Sequence, residues 1–279
     1  MSVRVKIVAD STCDLPPEWV ARWDIRLLYP YVNFDDESFI DDGKALPKSE
    51  FYKRLAAGKG LPKTAAFAPG TAQEVIAQQL ETAEHVVAFA VASHLSSIYN
   101  TIRLAAEHFD PARVTVIDSG QVTMSMGWIV IAAAEAAERG AGPEEVIAAA
   151  TSAQQRVKLY AAIDTLEYLR RSGRVSTLVA SIGTLLQIKP IIEVKEGVVT
   201  TLQRTRTMNK AVQSIVDLAH AQAPLERLAV LHANDAESAK ALLARLQDIA
   251  PADSIIADIT TALGTHVGPN ALGISTVRK

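Results

Sequence analysis

The first half of the chain alternates short runs of β-branched residues with amphipathic stretches, and this order restricts its fold more than any other feature. Runs at residues 3–9, 25–32, 85–92 and 114–118 are typical of buried strands, and helical spacing lies between them. Strands that alternate with helices form parallel sheets, because each helix carries the chain back to the starting edge. We therefore predict an α/β fold, with a parallel-sheet domain of Rossmann-like βα type over residues 1–156.

The second half orders its strands and helices differently. Two β-branched runs flank Lys195-Glu196-Gly197, which predicts a β-hairpin, and helices are expected at 176–186 and 208–221. A hairpin beside further strands and helices favours a sheet with both strand directions. We predict a second α/β domain with a mixed sheet over residues 157–279, whose last residues pack back at the interface between the domains.

Composition argues against several classes of function. Hydrophobic residues make up 49% of the chain and aromatic residues only 5%, so the core consists mainly of Ala, Val, Leu and Ile. A net charge of −3 without a long Lys/Arg run argues against a nucleic-acid partner. No apolar stretch approaches the roughly 20 residues of a transmembrane segment, and no signal peptide is recognisable. We expect a cytoplasmic protein that carries any lipid in a cavity.

Common catalytic and cofactor motifs are missing from the sequence. It contains no glycine-rich dinucleotide fingerprint, no phosphate-binding loop and no nucleophilic serine between glycines. Its six histidines are scattered, and its single cysteine, Cys13, excludes an intramolecular disulfide and a thiol-rich metal site. We predict no metal, no cofactor and no catalytic residue.

Hydroxyl-bearing residues gather where predicted strands end. Ser93, Ser96 and Ser97 follow the run at 85–92, and Thr64 lies in a predicted loop at 60–70. Ligands of parallel sheets bind beyond the carboxyl ends of the strands, where helix N-termini present unpaired N–H groups. Such residues are also ordinary helix caps, so each one alone is ambiguous. For Ser96 we expect both roles, a cap whose hydroxyl also contacts a ligand.

His266 lies between two glycines, in Gly264-Thr265-His266-Val267-Gly268. This spacing predicts an irregular segment rather than a helix or strand, and bends at both glycines would push the imidazole into a cleft. The alternative is a histidine that satisfies local carbonyl groups. His94 is predicted to lie at the surface of a loop.

Several short segments occur in a characteristic order along the chain. They are Val8-Ala9-Asp10-Ser11-Thr12-Cys13-Asp14-Leu15-Pro16, Asp41-Asp42-Gly43, Glu50-Phe51-Tyr52, Lys63-Thr64, Ser93-His94-Leu95-Ser96 with Tyr99, Val116-Ile117-Asp118-Ser119, Asp164-Thr165-Leu166-Glu167-Tyr168-Leu169, Gly173-Arg174-Val175-Ser176 and Ile188-Lys189-Pro190-Ile191. In this order they resemble the DegV family of bacterial fatty-acid-binding proteins over essentially the whole chain.

The resemblance implies that a long-chain fatty acid, such as palmitate, stearate or oleate, lies in a tunnel between the two domains. Its carboxylate would be held near the tunnel mouth by Thr64, Ser96 and His266, with Ser93 and Ser97 beside them. The protein would not be an enzyme. It would present the carboxylate to an ATP-dependent fatty acid kinase, which makes an acyl phosphate for phospholipid synthesis.

The resemblance also implies residues that position or dock such a kinase. These are Arg174, Arg204, Arg206 and Lys210. The alternative for this group is a set of solvated charges on a hairpin and a helix start.

The chain departs from the family pattern near the predicted head-group site. Thr64-Ala65-Ala66-Phe67-Ala68 stands where the family has Thr-Ser-Gln-Pro-Ser, and Ile98 stands where it has threonine. We expect a head-group site of few, uncharged donors without a buried arginine. Two other functions stay open: an autonomous hydrolase or phosphotransferase with Ser96 as nucleophile and His266 as general base, and a regulatory protein that senses lipid.

Overall fold

The computed structural model describes residues 3–58, 61–174 and 188–279. In chain order its strands are β1 (Val3–Asp10), β2 (Arg26–Leu28), β3 (Tyr31–Phe34), β4 (Glu37–Ile40), β5 (Lys63–Ala65), β6 (Ala83–Ala90), β7 (Val114–Asp118), β8 (Val157–Ala162), β9 (Lys189–Lys195), β10 (Val198–Thr205), β11 (Leu225–His232), β12 (Ile255–Asp258) and β13 (Leu272–Arg278). Its helices are α1 (Pro17–Arg22), α2 (Lys48–Ala56), α3 (Pro69–Leu80), α4 (Ile98–Ala106), α5 (Thr123–Glu138), α6 (Pro143–Arg156), α7 (Glu167–Arg171), α8 (Met208–Gln222), α9 (Ala236–Ala244) and α10 (Thr261–Val267). The helix expected at 176–186 lies outside the described residues.

The first sheet has the order β2-β1-β6-β7, and all its strands are parallel. This confirms the parallel sheet predicted from the alternating pattern. Helices α1, α3 and α6 begin with proline, whose fixed φ suits a first helical position. Strand β6 is buried along nearly its whole length, as a central parallel strand covered on both faces requires.

The run at residues 25–32 was predicted as one strand, and this is wrong. It divides into β2 in the first sheet and β3 in a separate antiparallel sheet of order β4-β3-β5. Pro30 lies between the two strands and has no N–H group with which to continue a ladder. The loop predicted at 60–70 is also partly wrong, because Thr64 lies in β5 and pairs with Val32. Three residues without alternation give too weak a strand pattern to be detected.

The third sheet has the order β10-β9-β8-β13-β11-β12, with one parallel pair, β11 and β12. This confirms the predicted mixed sheet. The hairpin between β9 and β10 turns at Glu196 and Gly197, whose φ angles of 51° and 75° suit a two-residue turn. The last residues of the chain form β13, a central strand that sequence patterns did not reveal.

The third sheet has two differently covered faces. Along β8, Tyr160 and Ala162 pack in the cluster beneath α8 and α9, while Leu159 lies in the cluster shared with the first half. Helix α5 contacts both β1 and β8 and is buried on almost every side. The chain enters the third sheet at Val157, directly after α6. A boundary between independently folding domains at residues 156 and 157 stays a prediction.

Within the described ranges, no helix combines the length and the apolar character needed to cross a lipid bilayer.

Candidate functional site

A cavity of about 190 Å³, measured as the space open to the centre of a water molecule, lies between the third sheet and elements of the first half of the chain. Most of the side chains around it are aliphatic. Those of the third sheet include Leu159, Ala161, Ile192, Val194, Val199 and Leu231. An apolar space with a few polar side chains is the usual form of a small-molecule site.

Four strands contribute one row of residues to the cavity wall. Ala161 of β8 pairs with Ile192 of β9 and with Gly273 of β13, and Gly273 pairs in turn with Leu231 of β11. Ala161 and Gly273, the two smallest residues of the row, therefore lie in its middle, where short side chains leave the most space above the sheet. Sequence analysis did not identify Ala161 or Gly273, because small residues in strands carry no signal until the strand register is known.

The segment around His266 is helical, which corrects the prediction of an irregular segment. Gly264 lies inside α10 because the helix packs closely on α2: a Cβ at this position would lie 2.7 Å from the hydroxyl of Tyr52 and 2.9 Å from Cε1 of Phe51. Gly268 ends the helix with φ of 75°, as a glycine cap does. The two glycines are therefore explained by the close packing of α10 on α2 at Gly264 and by the end of the helix at Gly268, rather than by a bend at both positions.

Helix α10 and strand β5 bring His266 and Thr64 together. Nε2 of His266 lies 3.0 Å from the hydroxyl oxygen of Thr64, and both residues line the cavity. Burial, and next the charge of Arg174, lower the pKa of His266 to about 3. The imidazole is therefore neutral at physiological pH.

The hydrogen bonds of His266 indicate which nitrogen carries its proton. Nδ1 is buried and has no hydrogen-bond partner among the described residues. We assign the proton to Nε2, because a buried N–H without an acceptor is rarer than an acceptor without a donor. In this tautomer Nε2 donates to Thr64, whose own hydroxyl proton can point into the cavity.

The serine-rich loop after β6 forms another part of the cavity wall. The N–H groups of Leu95 and Ser96 donate to the carbonyl of Ala92, and the hydroxyl of Ser96 accepts from the N–H of Ile98, where α4 begins. Ser96 and Ser97 line the cavity. Ser93 borders instead a shallow surface depression, and its N–H donates to Asp118.

Residues at which this chain differs from the family pattern also lie at or near the cavity wall. Ala65, Ala66 and Ile98 line the cavity, and Phe67 is buried. Ala65, Ala66 and Ile98 therefore place apolar groups where the family pattern has serine, glutamine and threonine, while Phe67 stands in place of proline.

Arg174 corrects the expectation of an uncharged site. Its side chain lines the cavity, and its Nε donates to the carbonyl of Leu95 at 3.2 Å. A second bond, 2.6 Å long, runs to the carbonyl of Ser172. Burial lowers the pKa of Arg174, and its positive charge in turn lowers the pKa of His266. The sequence resemblance assigned Arg174 to kinase positioning or docking, and only the folded chain shows that this half-buried residue also lines the cavity.

The remaining residues predicted for partner binding lie away from the cavity. Arg204 belongs to β10, Arg206 follows it, and Lys210 lies in the first turn of α8. All three are exposed. None of the three lines the cavity, unlike Arg174, with which they were grouped, and partner binding by this group stays a prediction.

Leu95, Ser96, Ser97 and Arg174 border both the cavity and the shallow surface depression. In the part of the chain that the structure describes, the cavity thus approaches solvent beside Ser96, Ser97 and Arg174. An anionic group would find neutral donors and one guanidinium there.

Ser96 and His266 do not form a nucleophile and base pair. His266 bonds through Nε2 to Thr64, and its Nδ1 is unpaired within the described ranges, so it makes no hydrogen bond with Ser96. Cys13 is buried next to Asp10 and Asp14, and burial raises the pKa of its thiol. Among residues 3–58, 61–174 and 188–279, no group of three or more His, Cys, Asp or Glu side chains is arranged to hold a metal ion.

Comparison with known proteins identifies the family. The sequence model of the DegV family, described as an uncharacterised protein, matches residues 4–279. A DegV domain-containing protein of Caldanaerobacter subterraneus subsp. tengcongensis is 30% identical over 275 residues, which cover 97% of this chain and 98% of that protein. A structure of a DegV family protein from Thermus thermophilus, described by its fatty acid binding, matches with a TM-score of 0.92 at 28% identity and covers 99% of this chain and 100% of that one. DegV of Bacillus subtilis, described as a fatty acid binding protein, matches with a TM-score of 0.88 at 28% identity over 100% of both chains. This chain belongs to the DegV family.

Proposed function

We propose that this chain binds a long-chain fatty acid, with the hydrocarbon tail in the aliphatic cavity and the carboxylate near Thr64, Ser96, Ser97 and His266. The observation that carries the proposal is the contact between Thr64 and His266 at the polar part of an otherwise aliphatic cavity. The fatty acid binding described for the Thermus thermophilus and Bacillus subtilis proteins supports the same ligand class.

The hydrocarbon tail supplies most of the binding free energy. About 14 methylenes removed from water contribute roughly 0.8 kcal/mol each, or on the order of 11 kcal/mol before costs. Ordering and immobilisation of the ligand consume several kcal/mol of this, so a dissociation constant near micromolar or below is expected. The head group then needs only its hydrogen bonds.

The carboxylate is stabilised by donors and by charge. Thr64, whose hydroxyl accepts from His266, donates its own proton to a carboxylate oxygen. The hydroxyl protons of Ser96 and Ser97 are further donors, while Ser93 is an outer contact at the depression. Arg174 adds a positive charge on the cavity wall, which favours an anion over a neutral head group.

Co-purified lipid tests the proposal. Solvent extraction of protein purified from cells, followed by mass spectrometry, should give a stoichiometric fatty acid of about 14 to 20 carbons, a range that includes the 16-carbon acid whose 14 methylenes were used for the transfer free energy. A double variant, Thr64→Val with His266→Phe, should retain less of the acid. Delipidated wild-type protein that takes up neither palmitate nor oleate would contradict the proposal.

We further propose that the bound carboxylate is presented to an ATP-dependent fatty acid kinase in the cytoplasm. Arg204, Arg206 and Lys210 form an exposed basic group suited to an acidic partner surface. Arg174, at the border of the cavity and the depression, would lie between partner and ligand. In this function the partner supplies catalysis.

A reconstituted reaction tests this partner. The chain, palmitate, ATP, Mg²⁺ and purified fatty acid kinase should give acyl phosphate, and omission of either protein should abolish it. The double variant Arg204→Glu, Arg206→Glu should slow the reaction and leave palmitate affinity unchanged. Lys240→Glu with Arg245→Glu serves as control, because Lys240 in α9 and Arg245 directly after it are both exposed. Acyl phosphate from the chain alone, or a regulatory protein as the sole bound partner, would contradict the proposal.

A further inference from the structure

The helix that carries His266 is held at its N-terminus by two carboxylates from the first half of the chain. Oδ1 of Asp14 accepts a hydrogen bond from the backbone N–H of Thr260 at 2.8 Å. Oδ2 of Asp41 accepts from the N–H of Ala262 at 2.9 Å, and its Oδ1 accepts from the hydroxyl of Thr261. These acceptors satisfy donors that the start of a helix leaves unpaired.

Both carboxylates are buried, unlike most helix caps. Asp14 is 8% exposed and Asp41 is 5% exposed. Burial raises the pKa of both groups, and the nearby charge of Lys48 partly opposes this effect. A buried carboxylate costs free energy that an exposed serine or threonine cap does not. Two of them at one helix end indicate a requirement beyond capping.

The rest of α10 is also fixed against its neighbours. Gly264 lies against Phe51 and Tyr52 of α2, and a Cβ on Gly268 would lie 2.3 Å from the ring of Tyr168 in α7. The seven residues of α10 span only about 10 Å, so its first turn and His266 belong to one short helical segment. A change at its first turn therefore shifts His266 relative to Thr64.

We propose that Asp14 and Asp41 are positioning residues of the head-group site: through α10, they set where His266 meets Thr64. This inference rests on the proposed binding of a fatty acid carboxylate. Neither aspartate lines the cavity itself. They connect the first half of the chain to a histidine that the second half supplies.

Affinity for an acid and for its methyl ester separates positioning from a general structural role. Asp41→Ala should weaken binding of palmitate about tenfold, the effect of one lost hydrogen bond to a charged group, and change binding of methyl palmitate less than about twofold. In protein labelled with ¹⁵N-histidine, the Nε2 resonance of His266 should move. Asp41→Asn keeps one carbonyl acceptor and should restore part of the affinity.

Asp42→Ala is the matched control, because Asp42 accepts hydrogen bonds from Lys44 and Ala45 of its own turn and, among the described residues, from no part of α10. It should leave both affinities and the His266 resonance unchanged. Should Asp41→Ala not fold, Asp14→Asn replaces it, with a smaller shift of the same resonance expected.

Three results would overturn the inference: equal losses for palmitate and its ester, an unmoved His266 resonance with unchanged palmitate affinity, or equal effects of Asp42→Ala. Wild-type protein that binds no palmitate would instead refute the proposed function, so the two failures are distinguishable.

Discussion

The hydroxyl oxygen of Thr64 lies 3.0 Å from Nε2 of His266, although 202 positions separate the two residues in the chain. Thr64 is held by the pairing of β5 with β3, and His266 by a short helix packed on α2. The contact thus joins the small antiparallel sheet of the first half to a helix of the second half. A ligand that uses both groups stabilises this arrangement.

Removal of the Thr64 hydroxyl should weaken carboxylate binding selectively. Thr64→Val keeps the shape of the side chain and removes the proton donor, so palmitate affinity should fall about tenfold, the usual effect of one hydrogen bond to a charged group. Isothermal titration calorimetry with palmitate and methyl palmitate measures the effect. The ester should bind both proteins nearly equally, because it has no carboxylate.

Thr82→Val is the control for this substitution, since Thr82 is exposed in the turn before β6. It should leave palmitate affinity unchanged. An unchanged affinity in Thr64→Val would mean that the carboxylate lies elsewhere.

Neutralisation of Arg174 should raise the pKa of His266. Burial makes the largest contribution to the low pKa of about 3, and the charge of Arg174 adds to it. In Arg174→Gln the pKa should rise but stay below the ordinary value of 6.5, because burial persists. Palmitate affinity should also fall, since a positive charge near the carboxylate is lost.

A pH titration of ¹⁵N-labelled histidine by NMR measures this shift in ligand-free protein. Arg170→Gln is the matched control, because Arg170 is exposed and paired with Glu167. A His266 pKa that is equal in wild type and Arg174→Gln would contradict the assigned influence of the guanidinium.

Much of the fold could be predicted from sequence because its patterns are local. Strands β1, β6 and β7 are short segments rich in Val, Ile and Ala, and the hairpin at Glu196 and Gly197 carries its own turn signal. Strand β5 could not be predicted, because a strand of three residues acquires its partner only in the folded chain. Helix α10 was missed because glycine normally weakens helices, and the close approach of Tyr52 that requires Gly264 is tertiary.

The candidate site was predictable only in part. Local pattern suggested polar roles for Ser96 and His266, and family resemblance grouped them with Thr64; no local pattern links residues that far apart. The inward direction of Arg174 depends on the carbonyl of Leu95, 79 positions away. Side-chain direction of this kind follows from the assembled fold.

A larger side chain at Ala161 should shorten the acid that the cavity accepts. Ala161 lies in the middle of the wall between Ile192 and Gly273, so Ala161→Leu places three more carbons in the space for the tail. Stearate affinity should fall more than about tenfold, consistent with the 1–3 kcal/mol cost of overpacking, while decanoate affinity changes little. Competition binding across a series of saturated acids measures the ratio. Ala241→Leu, on the exposed side of α9, is the control and should leave the ratio of stearate to decanoate affinity unchanged. Equal losses of affinity for both acids in Ala161→Leu would contradict a tail that lies along this wall.

Replacement of Asp14 should make the stability of the protein less dependent on pH. Burial raises the pKa of Asp14 from an ordinary value of 3.8 to about 7, so between these values the folded chain holds a proton that the unfolded chain has released. This contribution to the free energy of unfolding is complete below about pH 4 and is lost as pH rises through about 7. As pH rises from 4 to 8, the unfolding free energy of wild type should therefore fall by about 4 kcal/mol relative to that of Asp14→Asn. Urea unfolding at several pH values measures the difference, and Asp42→Asn should show no such trend. A constant difference across this interval would mean that Asp14 is ionised throughout, with its charge stabilised by neighbours such as Lys48.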